Sequence, residues 1–179
     1  MSHERGAAHV AQAWKIVEDG LADFFGDGNL DVLINGNDFG TEVSVGRYDA
    51  LNGLLLKGNG QGGANGFTPL SILESGIFIP GNGKALVKLR GANGKYLLAA
   101  SQNKGALKIF ELKNKGTILP VGPNDASATI EYKNGKKRKQ EFYYGNSFLS
   151  QSARFINSNE AIKMITIINQ KGASRTINY

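Results

Sequence analysis

The chain has 179 residues, 41% of them apolar, which suits one packed domain or two small ones rather than a disordered chain. It contains no cysteine, so disulfides, thiolate metal sites and a cysteine nucleophile are excluded. No apolar run approaches the roughly 20 residues of a membrane span, so we expect no membrane-spanning helix. The 24 glycines beside only four prolines indicate many tight turns between short strands.

Residues 1–19 lack the apolar stretch of a signal peptide, and we interpret them as a leader that is foreign to the protein or internal to a longer gene. Within this leader, residues 8–19 fit a short helix or a poor strand. From residue 20 onward, apolar runs at intervals of roughly ten residues alternate with turn signals such as Asn93-Gly94, which predicts an all-β fold of the sandwich, barrel or propeller kind. We predict strands at residues 31–35, 53–57, 84–90, 96–101 and 107–112.

A weak internal repeat divides this first region, residues 20–112. Residues 30–70 form one strand-turn-strand unit and residues 96–112 a second, and each unit would be one four-stranded blade. Residues 113–124 contain two of the prolines and are predicted to be a linker. Residues 125–179 are predicted to be a small β module with strands at 128–132, 139–144, 148–156 and 164–168, closed by a hairpin over 167–177.

The segment Asp23-Phe-Phe-Gly-Asp27-Gly-Asn29-Leu-Asp31, called here the aspartate loop, carries the strongest chemical signal. Its carboxylates and amide stand at near-alternate positions, and glycines at 26 and 28 permit a tight, partly left-handed backbone. Calcium prefers about six to eight oxygen ligands, which such a loop can gather around one point. We therefore predict calcium binding by Asp23, Asp27, Asn29 (through its backbone carbonyl) and Asp31. The alternative is a hydrated turn whose aspartates cap backbone amides.

A second polar cluster lies in the loop that follows the strand at 31–35. Asp38 or Glu42 could act as a general base or a further metal ligand, with Arg47 clamping an anionic group. The alternative is an internal salt bridge from Arg47 to Asp49 or Glu42 that pins the loop.

Lysine and arginine are concentrated between Lys113 and Gln140, with a dense run from Lys136 to Lys139 after the turn signal Asn134-Gly135. Such a patch can attract nucleic acid or anionic lipid. However, no aromatic residues are interleaved to offer the stacking surface that nucleic-acid binders use. We interpret the run as a solvated hairpin or a lysine-blunted sheet edge, and expect no nucleic-acid partner.

The pattern Asp23-x-x-Gly-Asp-Gly-x-x-Asp31 followed by a strand resembles the FG-GAP or VCBS type of β-propeller repeat, whose aspartate loop binds calcium. The segments Ala128-Thr-Ile-Glu-Tyr132, Phe148-Leu-Ser-Gln-Ser152 and Ile165-Thr-Ile-Ile168 resemble the ASPIC and UnbV type of module that commonly follows such propellers. Phe25 departs from the pattern, because the family usually has Asn or Asp there.

The resemblance implies partial propeller blades, about two, followed by a small β module, and a calcium-binding role in binding or structure. It also implies a bacterial protein of the periplasm or cell surface. Propellers close with about four to eight blades, so the expected partners are further copies of the chain or the missing blades of a longer one, with a small-molecule or glycan ligand as an option. The alternative function is a calcium-dependent hydrolase of esters or lactones, in which the ion acts as Lewis acid and Asp38 or Glu42 as base.

Overall fold

The computed structural model describes residues 21–44, 46–47, 51–61, 63–113, 116–145 and 151–179. These residues form thirteen strands in four antiparallel sheets, with one short α-helix, so the all-β prediction is confirmed. The predicted leader, residues 1–19, lies outside the described residues. No helix among those described is long and apolar enough to cross a membrane.

The first sheet is a meander in which each strand pairs with the next along the chain. All four residues of β2 are buried, as expected for a strand covered on both faces. Its strands are β1 (Leu21–Ala22), β2 (Asp31–Ile34), β3 (Leu54–Gly58) and β4 (Phe67–Leu70).

The second sheet follows a one-turn helix, α1 (Ile72–Ser75). Ser71 caps this helix by accepting a hydrogen bond from the Glu74 backbone, while the Glu74 carboxylate accepts one from Ser71 in return. The sheet has three strands in chain order, β5 (Asn82–Arg90), β6 (Tyr96–Asn103) and β7 (Lys108–Glu111).

The C-terminal region contains a two-stranded sheet and a four-stranded sheet. Strands β8 (Thr117–Pro120) and β11 (Phe155–Ser158) form the small one, so the predicted linker at 113–124 contains a paired strand. The larger one, called here the C-terminal sheet, has the order β10-β9-β12-β13. Its strands are β9 (Asp125–Tyr132), β10 (Lys137–Glu141), β12 (Ile162–Asn169) and β13 (Ser174–Asn178).

Strand β11 joins the two main hydrophobic cores, because its successive side chains point to opposite faces. Phe155 packs in the core of the first two sheets, where its ring meets Tyr96 edge-on at 4.9 Å. Ile156 packs in the core of the C-terminal sheet with Ile130 and Ile165. The C-terminal sheet is therefore anchored to the rest of the described structure by apolar packing.

The sheets of the described residues form no closed barrel or propeller. The first sheet has the four-stranded meander predicted for a blade, whereas the second has three strands. The assignment of these sheets as propeller blades therefore stays a prediction.

Candidate functional site

The aspartate loop connects β1 to β2, and the pairing of Ala22 with Asp31 fixes its two ends side by side. Gly26 and Gly28 adopt φ values of 72° and 84°, in the left-handed region that favours glycine. A side chain at Gly28 would also meet the Tyr132 ring at 3.3 Å. The left-handed backbone predicted for both glycines is therefore confirmed.

Asp31 holds the loop to the neighbouring strand. Its side chain is fully buried, and its carboxylate accepts hydrogen bonds from the backbone N–H of Phe24 at 2.8 Å and of Gly58 at 2.9 Å. The first bond closes the start of the loop and the second reaches the end of β3. Asp31 thereby satisfies two backbone donors that would otherwise lack a partner.

Asp23 and Asp27 cap backbone amides within the loop. The Asp23 carboxylate accepts from the N–H groups of Asp27 and Gly28, each at 3.0 Å, and Asp27 accepts from the Asn29 N–H at 2.9 Å. The aspartates therefore have the capping arrangement that was the alternative to calcium binding.

The charged form of the buried Asp31 carboxylate is disfavoured by its surroundings. Burial, with smaller contributions from Asp27 and Asp23, raises the pKa of Asp31 to about 6 despite its two backbone hydrogen bonds. Among the described residues, its two hydrogen-bond partners are both backbone amides, and no lysine or arginine forms a salt bridge with it. Buried charges in proteins are normally paired or coordinate metals, so this carboxylate lacks its usual compensation.

The C-terminal sheet covers the loop through a buried polar contact. Tyr132, at the end of β9, donates its hydroxyl proton to Asp23 Oδ2 at 3.0 Å and accepts from Arg138 Nε at 3.2 Å. Arg138 Nη2 lies 4.0 Å from the same Asp23 oxygen. Burial raises the pKa of Tyr132 to about 12, so the phenol stays protonated and remains a donor.

Two further residues of the C-terminal region contact the loop. Lys136 Nζ donates to Asn29 Oδ1 at 2.8 Å, and Asn159 Nδ2 donates to the Gly26 carbonyl at 2.9 Å. Sequence analysis missed these contacts, because their partners lie more than 100 positions away along the chain. The only hint in the sequence was a strand ending in a tyrosine and followed by a run of basic residues, which could face an acidic group.

The loop fits calcium in donor chemistry, since it offers carboxylate and amide oxygens beside an uncompensated buried charge. Both oxygens of Asp31 and Oδ1 of Asp23 accept one backbone proton each and keep a second lone pair, whereas Asp23 Oδ2 accepts from both the Gly28 N–H and the Tyr132 hydroxyl. Among the described residues, however, no three Asp, Glu, His or Cys side chains already converge on one point. The side chain of Phe25 supplies no oxygen and instead lies beside Lys57, whose Nζ is 4.8 Å from the ring centre.

The second polar cluster lies in an exposed loop. Asp38 Oδ1 accepts from the Gly40 N–H at 3.0 Å and from Lys84 Nζ on β5 at 3.3 Å. Arg47 stacks on the Phe39 ring at 4.5 Å, and Glu42 is exposed. Asp49, one of the salt-bridge partners proposed for Arg47, lies outside the described residues. The structure therefore gives Asp38 a basic partner that the sequence did not suggest.

Comparison of the chain with models of protein families, with characterised proteins and with solved structures gave no match.

Proposed function

We propose that this chain is a calcium-binding structural module of the β-propeller-repeat type, in which the aspartate loop holds the ion at its contact with the C-terminal sheet. Asp23, Asp27, Asn29 and Asp31 would be the ligands. The resemblance favours a bacterial surface or periplasmic protein, completed by further copies of the chain or by the blades of a longer one.

The observation that supports calcium is the environment of Asp31. This carboxylate is fully buried, its pKa is raised further by the charges of Asp27 and Asp23, and it has only backbone amides as hydrogen-bond partners in the described structure. A divalent cation would compensate the combined negative charge without displacing those amides.

The position of the loop supports a structural role. Tyr132 and Asn159 reach it from the C-terminal region, so a rigid loop gives that region a fixed surface to pack against. An ion bound here would stiffen the loop and so stabilise the contact between the two parts of the chain.

Thermal unfolding with calcium chloride, and again with a chelator, tests this proposal. A ligand that binds only the folded state at 100 times its Kd stabilises it by about 2.7 kcal/mol, which corresponds to a Tm increase of about 5–11 °C for a chain of this size. The informative variant is Asp27→Ala, because Asp27 is exposed and accepts one local hydrogen bond. It should keep the fold and lose the calcium-dependent shift.

Asp38→Ala is the matched control, because Asp38 is an exposed aspartate that caps a local amide outside the aspartate loop. This variant should keep the full calcium response. An equal Tm with calcium and with chelator in the unmodified protein would refute calcium binding.

The calcium-dependent hydrolase stays the alternative hypothesis. It needs Asp38 or Glu42 to act as general base next to the ion, whereas Asp38 pairs with Lys84 and Glu42 is exposed. Ester and lactone hydrolysis, measured with and without chelator, tests it. Turnover that disappears with the chelator and in Asp27→Ala would favour the enzyme over the structural module.

A further inference from the structure

A cleft of about 660 Å³, called here the junction cleft, opens where the first sheet, the second sheet and the C-terminal sheet meet. Its volume falls within the range of about 300–1,000 Å³ that is usual for small-molecule sites, which occur preferentially between packed units. Residues of all three sheets and of the segment after β10 line the cleft, among them Ala22, Tyr96, Arg138 and Tyr143.

Arg138 supplies a cation at the wall of this cleft. Its side chain is only 13% exposed, and Nε is held by the Tyr132 hydroxyl. Nη1 and Nη2 have no hydrogen-bond acceptor within the described residues, the nearest carboxylate being Asp23 at 4.0 Å. A guanidinium fixed at Nε with its outer nitrogens unused is suited to bidentate pairing with a carboxylate.

Tyr143 supplies an exposed aromatic surface in the same cleft. Its side chain is 58% exposed, and neither its ring nor its hydroxyl has a partner in the described part of the chain. The neighbouring Tyr144 differs, because its hydroxyl donates to the Pro123 carbonyl and Arg154 stacks on its ring at 4.2 Å. Tyr143 is therefore available to a ligand.

The lining of the junction cleft favours a polar ring over an apolar one. Ala22 and Leu30 are the aliphatic side chains among the residues that line it, and the remainder are mostly charged, amide-bearing or aromatic. An aromatic face beside polar groups suits a sugar ring, whose C–H face packs on the aromatic ring while its hydroxyls meet hydrogen-bonding groups.

We propose that the junction cleft binds a sugar acid, with the ligand carboxylate paired to Arg138 and its ring packed on Tyr143. The proposal does not require calcium in the aspartate loop, but the proposed calcium ligand Asp23 lies 4.0 Å from Arg138, so the test is made both with calcium and without it. It assigns the cleft to monosaccharide or oligosaccharide uronates rather than to neutral sugars.

Isothermal titration of the full chain with D-galacturonate, and with D-galactose as the neutral match, tests the proposal, in calcium and in chelator. Galacturonate should bind about tenfold or more tightly than galactose in at least one buffer, because one charge-assisted pairing distinguishes them. Arg138→Gln should remove this preference, and Tyr143→Ala should weaken both ligands. Lys171→Gln is the charge-matched control, since Lys171 lies in the exposed β12–β13 turn, and it should bind like the unmodified protein.

Arg138 Nε also donates a hydrogen bond to the Tyr132 hydroxyl, so a loss of binding in Arg138→Gln could come from a disturbed fold. Tyr143→Ala and amide chemical-shift mapping test the binding site without changing Arg138. Galacturonate-induced shifts should centre on the residues that line the junction cleft. Equal affinity for galacturonate and galactose, shifts centred elsewhere, unchanged binding in Tyr143→Ala, or no binding at millimolar ligand in either buffer would each overturn the proposal. Displacement of galacturonate by equimolar inorganic sulfate would also overturn it, because it would indicate an anion site without sugar recognition.

Discussion

Removing the hydroxyl of Tyr132 tests whether the contact between the aspartate loop and the C-terminal sheet stabilises the protein. Tyr132 is 1% exposed, and its hydroxyl bridges Asp23 and Arg138 with one donated and one accepted hydrogen bond. The substitution Tyr132→Phe keeps the ring in place against Gly28 and deletes only that bridge. The perturbation is therefore confined to two hydrogen bonds.

The expected cost follows from what the substitution leaves behind. Asp23 Oδ2 keeps its bond from the Gly28 N–H, whereas Arg138 Nε loses its acceptor in a largely buried position. Hydrogen bonds to charged groups contribute about 1.5–3 kcal/mol each, and two bonds that share one hydroxyl are not fully additive. We expect a loss of about 2–3 kcal/mol, equivalent to a Tm decrease of about 4–12 °C for a chain of this length.

Urea unfolding followed by circular dichroism measures this loss, with Tyr143→Phe as the matched control. Tyr143 is an exposed tyrosine whose hydroxyl has no partner among the described residues, so its substitution should change the unfolding free energy by less than about 0.5 kcal/mol. A double-mutant cycle with Asp23→Asn should give a coupling energy of about 1 kcal/mol or more. A loss below about 0.5 kcal/mol for Tyr132→Phe, or no coupling to Asp23, would refute the bridging role.

Two further substitutions probe other parts of the structure. A Cβ at Gly58 would overlap the Leu30 carbonyl oxygen, so Gly58→Ala should cost about 1–3 kcal/mol in urea unfolding. A Cβ at Gly40 would lie 3.4 Å from its nearest neighbour, so Gly40→Ala should cost less than about 0.5 kcal/mol, and equal effects would contradict this. The hydrogen-bonded Arg175 guanidinium lowers the pKa of Asp125, so the stability that this pair contributes is present above the unfolded-state pKa of about 3.9 and is lost as the pH falls through the lower folded-state pKa. The difference in unfolding free energy between the unmodified protein and Arg175→Gln should therefore be full at pH 7 and shrink below about pH 4, and a difference that grows on acidification would contradict this assignment.

Local patterns predicted most of the described strands, because hairpins depend on neighbouring residues. The strand predicted at 148–156 is an exception: β11 begins only at Phe155, and residues 148–150 lie outside the described residues. The turn at Asn134-Gly135 joins β9 to β10 with Gly135 at a φ of 84°, as the dipeptide indicates. The prolines at 120 and 123 suggested a linker, yet Pro120 ends β8 and lies opposite Phe155. Proline is tolerated there because β8 is an edge strand with a single partner, β11.

The candidate site was predictable only in part, because its acidic half is local in sequence and its other half is not. The spacing from Asp23 to Asp31 indicated a tight loop whose carboxylates either bind calcium or accept hydrogen bonds from backbone amides, and the structure shows those hydrogen bonds. It could not reveal that Tyr132 and Lys136 cover that loop, since tertiary packing alone brings them there. The lysine-rich hairpin was interpreted as solvated, and Lys137 does pair with Glu131 on the outer face, but Arg138 turns inward beside Asp23. Alternation along β10 separates these two roles.

If the aspartate loop binds calcium as proposed, the bridge between Asp23 and Tyr132 would link that binding to the packing of the C-terminal sheet. If calcium binds the loop more tightly when Tyr132 is in contact, linkage requires that the contact be stabilised by the same factor when calcium is bound. Tyr132→Phe should then lower calcium affinity although Tyr132 is not among the proposed ligands. In hydrogen exchange, calcium should slow the amides of β9 as well as those of the loop, because opening the bridge would also cost the coupling free energy between the contact and the ion. Slowing confined to residues 23–31 would show that the loop binds its ion without fastening the C-terminal sheet.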